Sequence, residues 1–217
     1  MYVPLHFRED RPDVLAQAIR DIQLAVLVTA SAEGLQATHL PVHLALDRDG
    51  GFLLKGHVAR ANPHWQMAGS GESLFIFQGP QTYISPSYYP SKQDDGKVVP
   101  TWNYIAVHVH GVLEVMQEEA ELMAFLHELT NANEGRRADP WAIDDAPPDY
   151  IAQRAKGIVG IKMKAARIEA SWKMTQNRMQ PDRLGTIAGL EQTASSQNGA
   201  QAVASVMRQL EAIRDDK

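Results

Sequence analysis

Gln78–Gly111 reads QGPQTYISPSYYPSKQDDGKVVPTWNYIAVHVHG, and its composition decides how the rest of the chain is read. Two strand-like runs, one ending near Ser85 and one beginning near Asn103, are joined by an insert dense in aromatic, basic and hydroxyl side chains. Tyr83, Tyr88, Tyr89, Trp102 and Tyr104 stand beside Lys92, Lys97, Ser85, Ser87 and Thr101. Flat aromatic faces that alternate with anion-holding groups suit a planar, phosphorylated ligand. The same residues also suit a long hairpin tip packed on its neighbours, and composition alone leaves both readings open.

Outward from this stretch the pattern is mainly β. Leu24–Ala30 is apolar and β-branched, Ser31–Gly34 supplies a turn, and Leu35–Leu46 alternates, which together predict a hairpin. Asp47–Gly51 is a second turn and Phe52–His57 a third strand. Three strands with no helical crossover between them imply an antiparallel sheet. Ser73–Gln78, Thr82–Ser85 and Asn103–Met116 add strands, for about six by this point, the scale of a small barrel. Gly157–Lys173, with Ile161 and Met163 alternating against Lys162 and Lys164, is expected to form one final long strand.

Helices are expected around this sheet. Asp10-Arg11-Pro12-Asp13 has a capping carboxylate and an early proline, and Leu15, Ala18, Ile19 and Ile22 follow at helical spacing. Asn62-Pro63 predicts a capped helical turn to Ala68. Leu122, Phe125, Leu126 and Leu129 place an amphipathic helix over Glu118–Thr130. Asn131–Pro148 reads as a loop with Trp141 as its buried anchor, and Pro148–Ala155 as a short helix. Asp182–Gln192 and Ala200–Ile213 are helical, separated by a linker-like Ser195–Gly199. With no internal repeat, the expectation is a single domain over 1–217, of which 195–217 is a C-terminal helical extension.

Composition narrows the function. Of 217 residues, 44% are hydrophobic and 22% charged, enough for an autonomous core. There is no cysteine, which excludes disulfides, thiolate metal sites and cysteine nucleophiles and accords with a reducing compartment. The first dozen residues offer no apolar signal core and no run approaches a membrane span, so a cytoplasmic location is expected. A net charge of −5 has the wrong sign for whole-surface attraction to nucleic acid, which leaves DNA as a partner without support from charge.

Several residues carry candidate chemistry. His57, Arg60 and Asn62 lie where a strand meets a helix start, so a guanidinium and free N–H groups could converge on a phosphate; the bland reading is an exposed base beside a cap. His39 precedes Leu40-Pro41, where the proline interrupts the sheet ladder. Trp172–Arg178 offers Lys173, Gln176 and Asn177 at a strand end. His108 and His110 share a strand face, but without a third ligand nearby no metal is expected. Ser85 and Ser87 lack a GxSxG setting, and neither GxGxxG nor a P-loop occurs.

The words GHVARANP at 56–63, FQGP at 77–80, SPSYY at 85–89, VPTWNY at 99–104 and WKMTQN at 172–177 closely resemble the PaiB family of FMN-binding negative transcriptional regulators. They fall in order, and the resemblance runs from Met1 to about Leu190. It implies an antiparallel split β-barrel with flanking helices, of the flavin-reductase and pyridoxamine-phosphate-oxidase type, working as a homodimer on FMN. It further implies that His57, Arg60 and Asn62 meet the phosphate, while His39, Lys97, Thr101, Trp102, Asn103, Tyr104, Lys173, Gln176 and Asn177 meet the ring and ribityl chain. A regulator label comes with the family; the competing readings are an oxidoreductase using FMN with NAD(P)H and a repressor that binds DNA directly.

Overall fold

A computed structural model describes residues 1–32 and 34–215, with only the backbone described at Asp215. Glu33, inside the first expected turn, lies outside the described residues. Helix α1 is Pro12–Ile22, begun by proline as anticipated, with Leu15 and Ile19 buried. The strands are β1 Leu24–Ser31, β2 Gly34–Pro41, β3 His43–Leu46, β4 Phe52–Ala59, β5 Glu72–Ile84, β6 Thr101–Val115, β7 Ile158–Lys164 and β8 Arg167–Lys173. The remaining helices are α2 Glu119–Glu134, α3 Pro148–Ala155, α4 Gln180–Gln192 and α5 Ala200–Asp215. The sheet runs β2-β1-β5-β6-β7-β4-β3, with β8 also paired to β6, and every pairing with a recorded register is antiparallel. This is the mainly β, antiparallel split-barrel class that the sequence led us to expect.

Four boundaries differ, each for a local reason. Leu35–Leu46 is two strands, because Pro41 donates no ladder bond and the N–H of Val42 instead reaches Gln23 O at 2.9 Å. β2 then pairs with β1 while β3 pairs with β4. Ser73–Gln78 and Thr82–Ser85 are one strand, since Gly79-Pro80 stays extended instead of turning. Gly157–Lys173 breaks at Ala165-Ala166, whose N–H groups leave for Phe52 O and His110 O, both at 2.8 Å. The described residues form eight strands, against the expected six up to Met116 plus one final strand. Finally, α2 continues to Glu134, through residues expected to be loop.

Trp141 is not the buried anchor of its loop. Its ring is 46% exposed, whereas Ile143 is 7% exposed and takes that role. A purely aliphatic side chain can be buried with no polar atom to satisfy, whereas an indole N–H needs a partner.

The described residues form two compact units, Met1–Leu15 with Gln78–Val107 and Glu169–Lys217, and Ala16–Phe77 with His108–Ile168. The first unit buries Phe7, Ile84, Ile105, Met174, Leu190, Val203 and Met207. In the second, Leu27, Leu40, Leu54, Phe75, Leu113 and Met163 are buried. α2 covers part of that unit through Met116, Leu122 and Phe125, with Leu126, Leu129 and Ile158 packed alongside. None of the described helices is long and apolar enough to cross a membrane.

Candidate functional site

The expected ligand residues divide into two groups, one in each unit. In the second unit β4 delivers His57 and the turn Arg60-Ala61-Asn62. Asn62 caps the following 3-10 turn, its Oδ1 accepting from His64 N at 3.0 Å, as the Asn-Pro pair predicts. Its Nδ2 donates to Thr38 Oγ1 at 3.1 Å. That hydroxyl also lies 2.8 Å from His64 Nδ1, and His64 Nε2 lies 3.0 Å from Thr29 Oγ1, itself 2.8 Å from Ser73 Oγ. The turn is therefore tied to a buried polar chain whose central imidazole is fully enclosed. Burial pushes the His64 pKa down, so the ring is neutral near pH 7.

Arg60 is held from both sides. Its N–H donates to Gly157 O at 2.9 Å and its carbonyl accepts from Trp65 Nε1 at 3.1 Å. Its guanidinium donates through Nε to Lys156 O at 2.7 Å and through Nη2 to Ile158 O at 2.9 Å. No carboxylate pairs with it among the described residues. It lines a cleft of 310 Å³ with Trp65, Gln117, Glu118, Glu119 and Lys156. Arg60 and Lys156 are the cations of this lining and Glu118 and Glu119 its acids, so its formal charges balance. His57 places Nδ1 out of solvent with no hydrogen-bond partner, and its ring centroid is 6.1 Å from that of Phe125. Burial lowers its pKa too, which makes it a neutral hydrogen-bonding group and not a second cation. His39 is exposed on β2, opposite Val26 of β1.

The first unit holds the other group. Lys173 donates from Nζ to Thr101 Oγ1 at 2.6 Å and lies 5.8 Å from the Tyr104 ring centroid. Among the described residues no carboxylate pairs with it, and burial lowers its pKa. Trp102 is 52% exposed and meets Tyr83 edge-on at 6.4 Å. Gln176 folds back, its Oε1 accepting from Met174 N at 2.7 Å and its Nε2 donating to Trp172 O. Asn177 is exposed in the same turn. Lys97 is exposed and pairs with Asp95 at 3.2 Å. Asn103 is fully buried: its Nδ2 donates to Thr175 Oγ1 at 2.8 Å, and that hydroxyl donates back to Oδ1 at 3.1 Å. Thr175 has φ of 66°, a left-handed conformation that these bonds help to hold.

Sequence reasoning missed what holds the aromatic insert. Asp182, 3% exposed, accepts from Ser91 N at 3.1 Å and from Ser91 Oγ at 2.8 Å. Arg178 lies 4.5 Å over the Tyr89 ring. Gly185 and Gly189 give Tyr88 its place on α4: a Cβ on Gly185 would sit 2.3 Å from Tyr88 O, and one on Gly189 would sit 2.2 Å from Tyr88 Cδ1. Two glycines four apart inside a helix were the available signal, since they weaken a helix unless something packs there.

Each group by itself has chemistry suited to part of an FMN-like ligand. In the second unit Arg60 is a cation with no carboxylate partner among the described residues and His57 Nδ1 is a buried polar atom that lacks a partner. In the first unit Lys173 is likewise without a described carboxylate partner and Trp102 exposes an aromatic face. The fold is that of flavin-binding split barrels. It aligns with an FAD and heme binding protein from Mycobacterium smegmatis at a TM-score of 0.55 and 14% identity, covering 76% of this chain and 73% of that one. A flavocytochrome from Azotobacter vinelandii aligns at 0.53 and 12%, over 83% and 74% of the two chains.

The chain belongs to the family described as "Putative FMN-binding domain", whose model matches residues 1–167, and FMN is its cofactor. The resemblance to PaiB holds as well: the chain is 32% identical over 192 residues to the protease synthase and sporulation protein PAI 2 of Bacillus subtilis, covering 88% of this chain and 89% of that protein. An uncharacterized protein of Emericella nidulans is 31% identical over the full length of both.

Proposed function

We propose that this protein is a cytoplasmic, homodimeric FMN-binding regulator of the PaiB kind that acts through its flavin and not by reading DNA itself. One FMN-binding domain over 1–217 suffices for this reading. In it Arg60, oriented by two carbonyls, takes the phosphate, with His57 and the Asn62 turn as hydrogen-bonding neighbours. Thr101, Trp102, Tyr104 and Lys173 take the ring and ribityl chain, with His39, Lys97, Gln176 and Asn177 around them. Asn103 enters as support, fixing the strand end through Thr175. FMN when bound would supply one- or two-electron redox chemistry.

The observation that carries this reading is Lys173: a half-buried ammonium on a hydroxyl, next to aromatic surface, with no carboxylate among the described residues to pair with it. Direct DNA reading is disfavoured because the basic residues closest to forming a patch are engaged. Arg183 makes a two-point contact with Glu211 at 2.6 and 2.7 Å, and Arg178 is stacked on Tyr89. Lys173 also favours a second reading, a flavin-dependent oxidoreductase, since a cation near the ring stabilises a reduced flavin anion.

FMN titration of the purified protein, followed by flavin fluorescence and by light scattering, tests the proposal. One FMN per chain on a dimer is expected, with no salt-dependent shift of promoter DNA at physiological ionic strength. Absence of saturable FMN binding, or tight sequence-selective DNA binding, would overturn it. Turnover of NAD(P)H that falls in Lys173→Gln selects the oxidoreductase.

A further inference from the structure

A second cleft in the unit containing α2 and α3 is larger than the one at Arg60, at 720 Å³, and Arg60 does not line it. This volume is within the range of small-molecule sites, about 300 to 1,000 Å³. Leu126, Ile143 and Ile158 give it apolar walls. Two large aromatic side chains also line it while remaining open to solvent, Trp141 at 46% and Tyr150 at 53%. Arg154 is the only ionised side chain among its lining residues, and its guanidinium carbon lies 5.9 Å from the Tyr150 ring centroid. No described carboxylate pairs with Arg154.

These features select a ligand class. An exposed indole and an exposed phenol beside aliphatic walls leave flat apolar surface in water, and an aromatic ring laid on it would remove that exposure. Arg154 is the one charged side chain of the lining, while the nearby Glu134 carboxylate is taken up by Trp141 N at 3.2 Å and by Arg137, so the charge open to a ligand in the cleft is positive. A guanidinium binds a carboxylate through two parallel N–H donors, which a neutral analogue cannot reproduce. Thr130 and Gln153 add neutral polar groups at the same wall.

We propose that this cleft binds a small planar aromatic carboxylate, its ring on Trp141 and Tyr150 and its carboxylate on Arg154. Ala155 and Ile158 line both clefts, but none of the side chains assigned to FMN lines this one, so the proposal does not rest on the flavin assignment.

The full-length protein titrated with 2-naphthoate, and separately with the uncharged 2-naphthalenemethanol, tests this by calorimetry. One saturable site per chain is expected, with the carboxylate bound about three- to tenfold more tightly than the alcohol. Arg154→Gln should erase that preference and Arg154→Lys retain part of it. Trp141→Leu should weaken both probes several-fold. FMN affinity of Arg154→Gln should equal that of the parent. No saturable binding, equal affinity for the two probes, a preference that survives Arg154→Gln, or a loss of FMN affinity in that variant would each overturn the proposal.

Discussion

The aromatic insert at 85–100 and the turn at 59–62 are both expected to meet the same cofactor, yet different groups hold them in place. The turn is wired largely through backbone groups: Asn62 caps its own 3-10 turn by accepting from His64 N, and Arg60 is fixed on the backbone carbonyls of Lys156 and Ile158, 96 and 98 residues away. The insert is held through side-chain bonds and close packing on α4 and its C-cap: Asp182 on Ser91, Tyr88 against Gly185 and Gly189, and Tyr88 Oη near Thr193 Oγ1 at 3.2 Å. That helix lies beyond residue 167, where the family match ends. A segment inside the family model thus depends on one outside it.

Breaking the long-range clamp should give the largest effect. Asp182→Ala removes two hydrogen bonds to a buried carboxylate and leaves Ser91 N without its acceptor, a loss of about 3 kcal/mol. Urea unfolding should show it, and limited proteolysis should begin between Ser85 and Pro100 while the 59–62 turn stays protected. Cleavage appearing at both places together would show that the two are not held independently.

Next in size is Gly185→Ala. At an exposed helix position this change stabilises by up to about 1 kcal/mol. Here the new methyl meets Tyr88 O, so the sign should reverse to a loss of about 1 to 3 kcal/mol, read as a lower melting temperature. A rise in melting temperature would mean that α4 and the insert are not in contact.

A smaller difference should separate the two regions along pH. His57 and His64 have pKa values lowered by burial, so the unfolded chain takes up their protons first. Stability in that unit should begin to fall as pH drops below the ordinary imidazole value of about 6.5, and continue falling through the lower folded values. Glu211 is lowered by its hydrogen bonds from Arg183, against an opposing burial effect, so its contribution persists until pH falls below the ordinary carboxylate value of about 4.3. Hydrogen exchange at pH 7, 5.5 and 4 should show the surroundings of His64 loosening first, and Glu211→Gln should flatten only the lower step.

The same contrast explains what could be read from the sequence. Elements carried by local periodicity or caps, such as α1, the Asn62 turn and the start of α2, fall where the pattern puts them, because neighbouring residues decide them. Strand breaks at Val42 and Ala165 depend on which distant carbonyl receives an N–H, Gln23 O or Phe52 O, and no window of sequence contains both partners. Among the candidate residues, the pattern identified side-chain chemistry but not commitment. Asn103 looks like a polar ligand group in VPTWNY, yet its amide is closed on Thr175, while the ammonium of Lys173 rests on Thr101 with no acid beside it. Asp182 reads as an ordinary first-turn acid of a helix; only the fold brings Ser91 to it.

The most direct test of the central claim is FMN titration of Arg60→Ala beside Arg20→Ala, with folding confirmed by circular dichroism. Both arginines are exposed, but only Arg60 is fixed on two carbonyls in a cleft whose other charges are one lysine and two acids. Losing a charge-assisted bond to phosphate should cost roughly 1.5 to 3 kcal/mol, about ten- to a hundredfold in affinity, while Arg20→Ala should leave binding unchanged. Equal affinities in two well-folded variants would remove the phosphate from this turn and contradict the account.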